Sequence, residues 1–290
     1  MSKDQHTIYG EGVAATILAH GAELCSLKTS AGLELLWQAG PEWKRHAPML
    51  FPIVGKLKND TLRHRGKSFS MTQHGFARDN RFEWGERGNS LCRLVLTDNA
   101  ETRMRYPFAF RLTITYELEG RDLNTSFEIE NSGDELLPAS AGGHPAFNWP
   151  LVPGVSKTDY RLIFSKEEAA PIRRLQDGLL RLQPEPSPIR GRELALSEAL
   201  FENDAIILDK PASTSLRFVG GEGPSIEVSW HAFRELGIWS KPEGAAFLCI
   251  EPWRGFASPL DFDGEFVDKP GLMLIKPGET ERLSYRIGIR

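Results

Sequence analysis

The sequence is short of the features that mark several protein classes. It has only three cysteines in 290 residues. Cys25, Cys92 and Cys249 lie far apart and are odd in number, and they form neither a CxxC pair nor a metal-type spacing. That argues against a disulfide framework or a cysteine-based metal finger. Their apolar flanks (Leu24, Leu91, Leu248, Ile250) suit small core residues in a reducing cytoplasm. No run approaches the roughly 20 consecutive apolar residues of a membrane helix. The opening Met-Ser-Lys-Asp-Gln-His-Thr leads into no apolar stretch, so no secretion signal is expected and the expected location is the cytoplasm. A large charge of either sign is missing too. The formal net charge is −4, which gives no basic footprint for nucleic acid. Neither nucleic acid nor membrane is therefore expected as a partner, and a ligand need not be a polyanion.

Helical periodicity is also scarce. The best segment runs from Glu193 to Phe201, where Leu196 and Leu200 stand four apart. It predicts one short helix. What is present in quantity is period-two alternation, the mark of half-buried strands. Leu112, Ile114, Tyr116 and Leu118 alternate with polar residues, Gly120-Arg121-Asp122 turns the chain, and Leu123, Phe127 and Ile129 follow on one parity. Cys92, Leu94 and Leu96 predict another strand, as do Ile226, Val228 and Trp230. Near the C-terminus, Leu272 and Leu274 precede a Pro277-Gly278 turn and then Leu283, Tyr285, Ile287 and Ile289. Residues 170–192 are rich in Arg, Pro and Gln and read as a long surface excursion. The 19 prolines and 27 glycines are spread throughout, as turns between many strands require. Length permits one large β-domain or two ordinary ones, and the pattern favours one all-β domain of antiparallel strands, a sandwich or barrel.

Three segments break the plain strand pattern. They are Gln73-His74-Gly75-Phe76-Ala77-Arg78-Asp79, Gly142-Gly143-His144-Pro145-Ala146-Phe147-Asn148 and Cys249-Ile250-Glu251-Pro252-Trp253-Arg254-Gly255. Each sets ionisable groups beside glycine or proline and an aromatic. Glycine lets backbone come close to a ligand. Phe147 and Trp253 offer flat apolar faces to the C–H face of a sugar ring. Pro145 confines the backbone of His144 to extended conformations, which fixes the direction of its side chain. A hydrogen-bonded core histidine fits His144 as well, and a loop histidine capping a turn fits His74. Glu251 follows the apolar run Ala246–Ile250 at the end of a buried strand, where a carboxylate is either exposed or placed for a purpose. Two histidines and one glutamate suffice for general acid–base catalysis, but their separations in sequence say nothing of whether they meet.

The ordered set HGFAR, GGHPAF and EPW resembles the aldose 1-epimerase (galactose mutarotase-like) superfamily, and within it the bacterial LacX-type branch. The resemblance runs from Phe51-Pro52-Ile53-Val54-Gly55-Lys56 through Phe201-Glu202-Asn203-Asp204 and Leu236-Gly237-Ile238-Trp239-Ser240 to the EPW segment. It implies a large antiparallel β-supersandwich over residues 1–290, with few short helices. It implies interconversion of the α and β anomers of a monosaccharide, with neither metal nor nucleotide cofactor. By resemblance Glu251 removes the anomeric hydroxyl proton, His144 protonates the ring oxygen, and His74 binds or polarises substrate near that oxygen. Asp204 would grip sugar hydroxyls. The family's Gly-Arg-x-x-Asn-Arg stretch matches Gly55 to Asp60, so its last arginine is replaced by Asp60, and Arg78 is the candidate substitute. Hexose-6-phosphate 1-epimerases share an HGFAR-type motif, and Lys56, Lys58 and Arg78 would then hold the phosphate; a solvated strand edge is the plainer account of the two lysines. A non-catalytic carbohydrate binder, or a glycosidase using Asp204 and Glu251, are further alternatives. Exposed strand edges leave a homodimer open.

An ordinary glutamate titrates near pH 4.3 and is ionised at neutrality unless its pocket raises it strongly, whereas a histidine near 6.5 carries a transferable proton. The spatial expectation is that Glu251 and His144 face each other across a gap as wide as a pyranose.

Overall fold

The alternation read from the sequence becomes a nine-stranded antiparallel sheet in the computed structural model, which describes residues 4–290. Its centre is the hairpin Arg111–Glu119 and Asp122–Glu130, whose second strand pairs along its whole length with Thr280–Ile289. Leu112, Ile114, Tyr116, Leu123, Phe127 and Ile129 are fully buried from one face, as their parity requires. Ile226–His231 extends the sheet on one side and Leu91–Thr97 on the other.

A second, six-stranded sheet contains Ile206–Leu208, Glu235–Trp239, Phe247–Arg254, Ala141–Gly143 and Met49–Leu50, with Ala146–Asn148 also paired to Phe247–Arg254. One contiguous core from Ile8 to Ile289 joins inward side chains of both large sheets, among them Ile114 and Phe127 from the first and Ile238, Leu248 and Ile250 from the second. The fold is an all-β sandwich with short helices only. Among the described residues no helix is long and apolar enough to cross a membrane.

Two local expectations change. Glu193–Phe201 is not one helix: Glu193–Ala195 is a strand and Glu198–Phe201 a single 3-10 turn. One pair of leucines four apart is too short a pattern to decide against the pairing of Arg161–Ile163 with Glu193–Ala195. Near the C-terminus the buried parity is Met273 and Ile275, while Leu274 is exposed. Met273–Ile275 pairs with Leu137–Ala139 rather than with the strand that follows it, so its inward face is set by that partner. Cys92 and Cys249 are buried, and half-buried Cys25 donates its thiol to the Thr16 carbonyl.

Candidate active site

Strand Phe247–Arg254 is buried on both faces, and its two faces differ. Leu248 and Ile250 point into the main core. Phe247, Cys249, Glu251 and Trp253 point the other way, because side chains alternate along a strand. Glu251 therefore sits mid-strand rather than at a strand end, only 1 % exposed. Its partner across the adjacent strand is Gly237. A Cβ there would lie 2.5 Å from the Trp253 ring, so glycine makes the room in which that indole lies beside Glu251.

On the other side, the GGHPAFN segment pairs with the same strand twice, Gly142 opposite Trp253 and Ala146 opposite Cys249. Both pairs fall on one antiparallel register, which sets residue 144 opposite residue 251. Nε2 of His144 stands 3.1 Å from Oε2 of Glu251. The two groups touch; no pyranose-wide gap separates them. The contact lacks hydrogen-bond alignment, and neither Oε2 of Glu251 nor Nδ1 of His144 has a hydrogen-bond partner among the described residues.

His74 meets the pair through a left-handed turn. Its φ is 65° and that of Gly75 is 73°. A Cβ on residue 75 would come within 2.2 Å of the Phe51 carbonyl oxygen, so only glycine fits there. Nδ1 of His74 accepts from the Gly55 N–H at 3.1 Å. In the neutral ring the proton is then on Nε2, which makes His74 a fixed donor. Its ring stands edge-on to His144, 5.6 Å between centroids.

These groups line a cavity of about 380 Å³, within the usual range for small-molecule sites. Trp43 stacks on the His144 ring at 4.9 Å and Trp239 meets it edge-on at 5.9 Å. Arg78 reaches the wall from a short turn, with Nη2 donating to the Gln73 carbonyl. Asp204 also lines the cavity, at a φ of 67°. Its Oδ1 accepts from the Ala205 N–H and its carbonyl from buried Arg174.

Comparison with known proteins places the chain in a family. Residues 4–273 match the family model described as aldose 1-epimerase. The chain belongs to the aldose 1-epimerase family. It is 36 % identical over 280 residues to the plasmid and chromosomal forms of protein LacX from Lactococcus lactis subsp. lactis, covering 93 % of this chain and 94 % of each relative. A galactose mutarotase related enzyme from Lactobacillus acidophilus superposes with a TM-score of 0.90 at 34 % identity, over 99 % of this chain and 97 % of that one. A galactose mutarotase-like protein from Lactobacillus casei gives 0.90 at 29 % identity, over 99 % of this chain and 100 % of its own.

Burial sets the charge state of the groups that line the cavity. Desolvation pushes the Glu251 carboxyl well above its ordinary value, and the Asp204 charge adds to this while the Trp253 indole N–H opposes it. Desolvation lowers His144 to about 3, with Arg78 and Arg45 acting in the same direction. His74 is lowered well below 6.5 by burial, then by His144, Arg78 and Arg45. The carboxylate expected from ordinary values thus meets the strongly raising pocket. Both shifts favour the uncharged forms, a protonated Glu251 beside a neutral His144. Burial also brings Arg78 down to about 10.

Two expected contacts lie elsewhere. Phe147 is fully buried in the main core, not on the cavity wall. It pairs with Leu248 and shares that residue's face, while Ala146 faces the cavity side. Lys56 is off the wall: Nζ lies 3.8 Å from Asp60, and the stem packs over Gly178. Lys58 and Asp60 belong to an adjacent turn outside the cavity. Sequence reasoning missed Trp43, a loop residue between Glu42 and Lys44 with no local signal, and Leu175, which lines the cavity from the 170–192 excursion. Trp239 was within reach, since it lies in a quoted family segment and shares a strand with Gly237. Cys249 stands two residues before Glu251 on the same face, and its thiol is raised well above its ordinary value by burial and by that carboxylate.

Proposed function

We propose that this chain is a mutarotase that interconverts the α and β anomers of a free aldohexose by general acid–base ring opening and reclosure. One observation carries the reading: an imidazole and a carboxyl sit 3.1 Å apart on the wall of a sugar-sized cavity. The anomeric hydroxyl oxygen and the ring oxygen hang from the same carbon. Side-by-side catalytic groups therefore suit them better than groups on opposite sides of a ring.

The proton count also fits. Ring opening needs one base and one acid with a single transferable proton between them. Passing the Glu251 carboxyl proton to His144 gives a carboxylate beside an imidazolium. Glu251 then takes the anomeric hydroxyl proton while His144 protonates the ring oxygen, and the C1–O bond breaks. This leaves Glu251 protonated and His144 neutral, the form burial favours. Rotation about C1–C2 presents either carbonyl face, and reclosure runs the transfers backwards. His74, with its proton on Nε2, donates a hydrogen bond near the ring oxygen. Arg78 and Asp204 bind hydroxyls, and Trp253 with Trp43 and Trp239 offers flat faces to the sugar. Residues 1–290 act as one domain in this reading, and no cofactor takes part.

A phosphorylated substrate is less favoured, because Lys56 and Lys58 stand off the cavity and Arg78 alone of the three basic residues lines it. Polarimetry or NMR saturation transfer on fresh α-glucose, α-galactose and glucose 6-phosphate tests both readings. Free sugars are expected to equilibrate faster, and Glu251→Gln or His144→Asn to remove about 10²-fold or more of that rate. A response confined to glucose 6-phosphate would transfer the assignment to a phosphate epimerase. No acceleration of any sugar would leave a binding protein.

A further inference from the structure

The face that carries Glu251 also carries a third donor. The Cys249 sulfur, a ring nitrogen of His144 and a carboxylate oxygen of Glu251 all lie within 4.8 Å of one another, and all three residues are buried. Oε2 of Glu251 and Nδ1 of His144 have no hydrogen-bond partner among the described residues. Thiolate, imidazole and carboxylate together are a borderline-soft donor set, suited to Zn²⁺ and poor for the oxygen-seeking Mg²⁺ or Ca²⁺. The 3.1 Å between His144 and Glu251 is close to the roughly 3.3 Å expected of two ligands bound tetrahedrally at about 2.0–2.1 Å. The sulfur needs to close in by about an ångström at most to complete three corners. His144 and Glu251 line the cavity while Cys249 lies behind its wall, so an ion held by all three would have its fourth corner on the cavity side, the pattern of three protein ligands and one exchangeable position.

We propose that His144, Cys249 and Glu251 form a Zn²⁺ site whose open position faces the sugar cavity, and that zinc bound there blocks anomer exchange. Binding displaces the Cys249 thiol proton and the Glu251 carboxyl proton, so two protons leave for each zinc. Both proton-transfer groups are then occupied by the metal. The binding half of the proposal stands whatever the reaction; the blocking half rests on the mutarotase reading.

The test uses the full chain. Zn²⁺ is titrated against a chromophoric chelator, and Co²⁺ is added separately to record its absorption spectrum. One zinc per chain is expected, with a thiolate-to-cobalt charge-transfer band. Cys249→Ser should remove that band and weaken zinc binding by about 100-fold or more, since losing a mere supporting group already costs 10–100-fold. Cys249→Ala should do the same and serves if the serine variant fails to fold, while Cys25→Ser should change neither quantity. A cobalt spectrum without the band, or zinc affinity indifferent to Cys249, overturns the site. One equivalent of zinc should bring sugar equilibration to the uncatalysed rate, and a chelator should restore it. Zinc bound with the band present but with exchange undisturbed overturns the blocking half. A chain that binds zinc as described yet never accelerates any sugar defeats the mutarotase reading and leaves the site standing.

Discussion

The two faces of strand Phe247–Arg254 are equally dry and behave as two different materials. Leu248 and Ile250 interlock with the main core, where burial is simple stabilisation. Glu251 and Trp253 are as deeply buried on the other side, but against a cavity, with Cys249 packed behind its wall. There the same loss of water raises a carboxyl and lowers an imidazole, favouring the uncharged form of each. Desolvation is thus a stabiliser on one face and a tuning device on the other, and residue parity alone selects which.

Adjacent substitutions break this comparison most sharply. Glu251→Gln should lower the anomer-exchange rate by about 10²-fold or more, measured by NMR saturation transfer, and leave the urea midpoint near that of wild type. Ile250→Ala, one residue away, should lose about 2–5 kcal/mol in urea unfolding, and the molecules that remain folded should retain their rate. Gly237→Ala probes the seam, because its new Cβ meets the Trp253 ring. Overpacking there should cost about 1–3 kcal/mol and also depress exchange by displacing the indole from beside Glu251.

The electrostatic side of the comparison is open to pH. His144 is lowered to about 3 in the folded chain. Its contribution to stability is therefore fully present above its unfolded value, about 6.5, and is lost as pH falls from there towards 3. The difference in unfolding free energy between wild type and His144→Asn should change by up to about 1.4 kcal/mol per pH unit across that window. Glu251 acts oppositely, since its raised carboxyl contributes stability that is present below the ordinary glutamate range and lost as pH rises. The smallest effect belongs to Lys56→Ala. Its ion pair with Asp60 is half-exposed and off the cavity, so stability should move by less than about 1 kcal/mol and exchange should not change measurably.

The sequence declared its strands where both partners alternate. Arg111–Glu119 and Asp122–Glu130 were legible for that reason, and so was the all-β class. Met273–Ile275 was misread because its inward face depends on Leu137–Ala139, far away in the chain. His144 and Glu251 were legible as chemical types in unusual settings. Their contact was not, because it follows from how Gly142 and Ala146 pair with the other strand. Phe147 looked like a sugar platform because it is aromatic and near His144, and pairing with Leu248 turned it inward. Trp43 touches His144 only through the path of a loop, which no periodicity encodes.

Because one strand serves the main core with Leu248 and Ile250 and carries Glu251 and Trp253 to the cavity on its other face, the chain between 247 and 254 can tolerate exchanges of residue far better than changes of length. A single deletion there would turn Leu248 and Ile250 towards the cavity and drive the glutamate into hydrocarbon, disrupting the cavity wall and the core in one event.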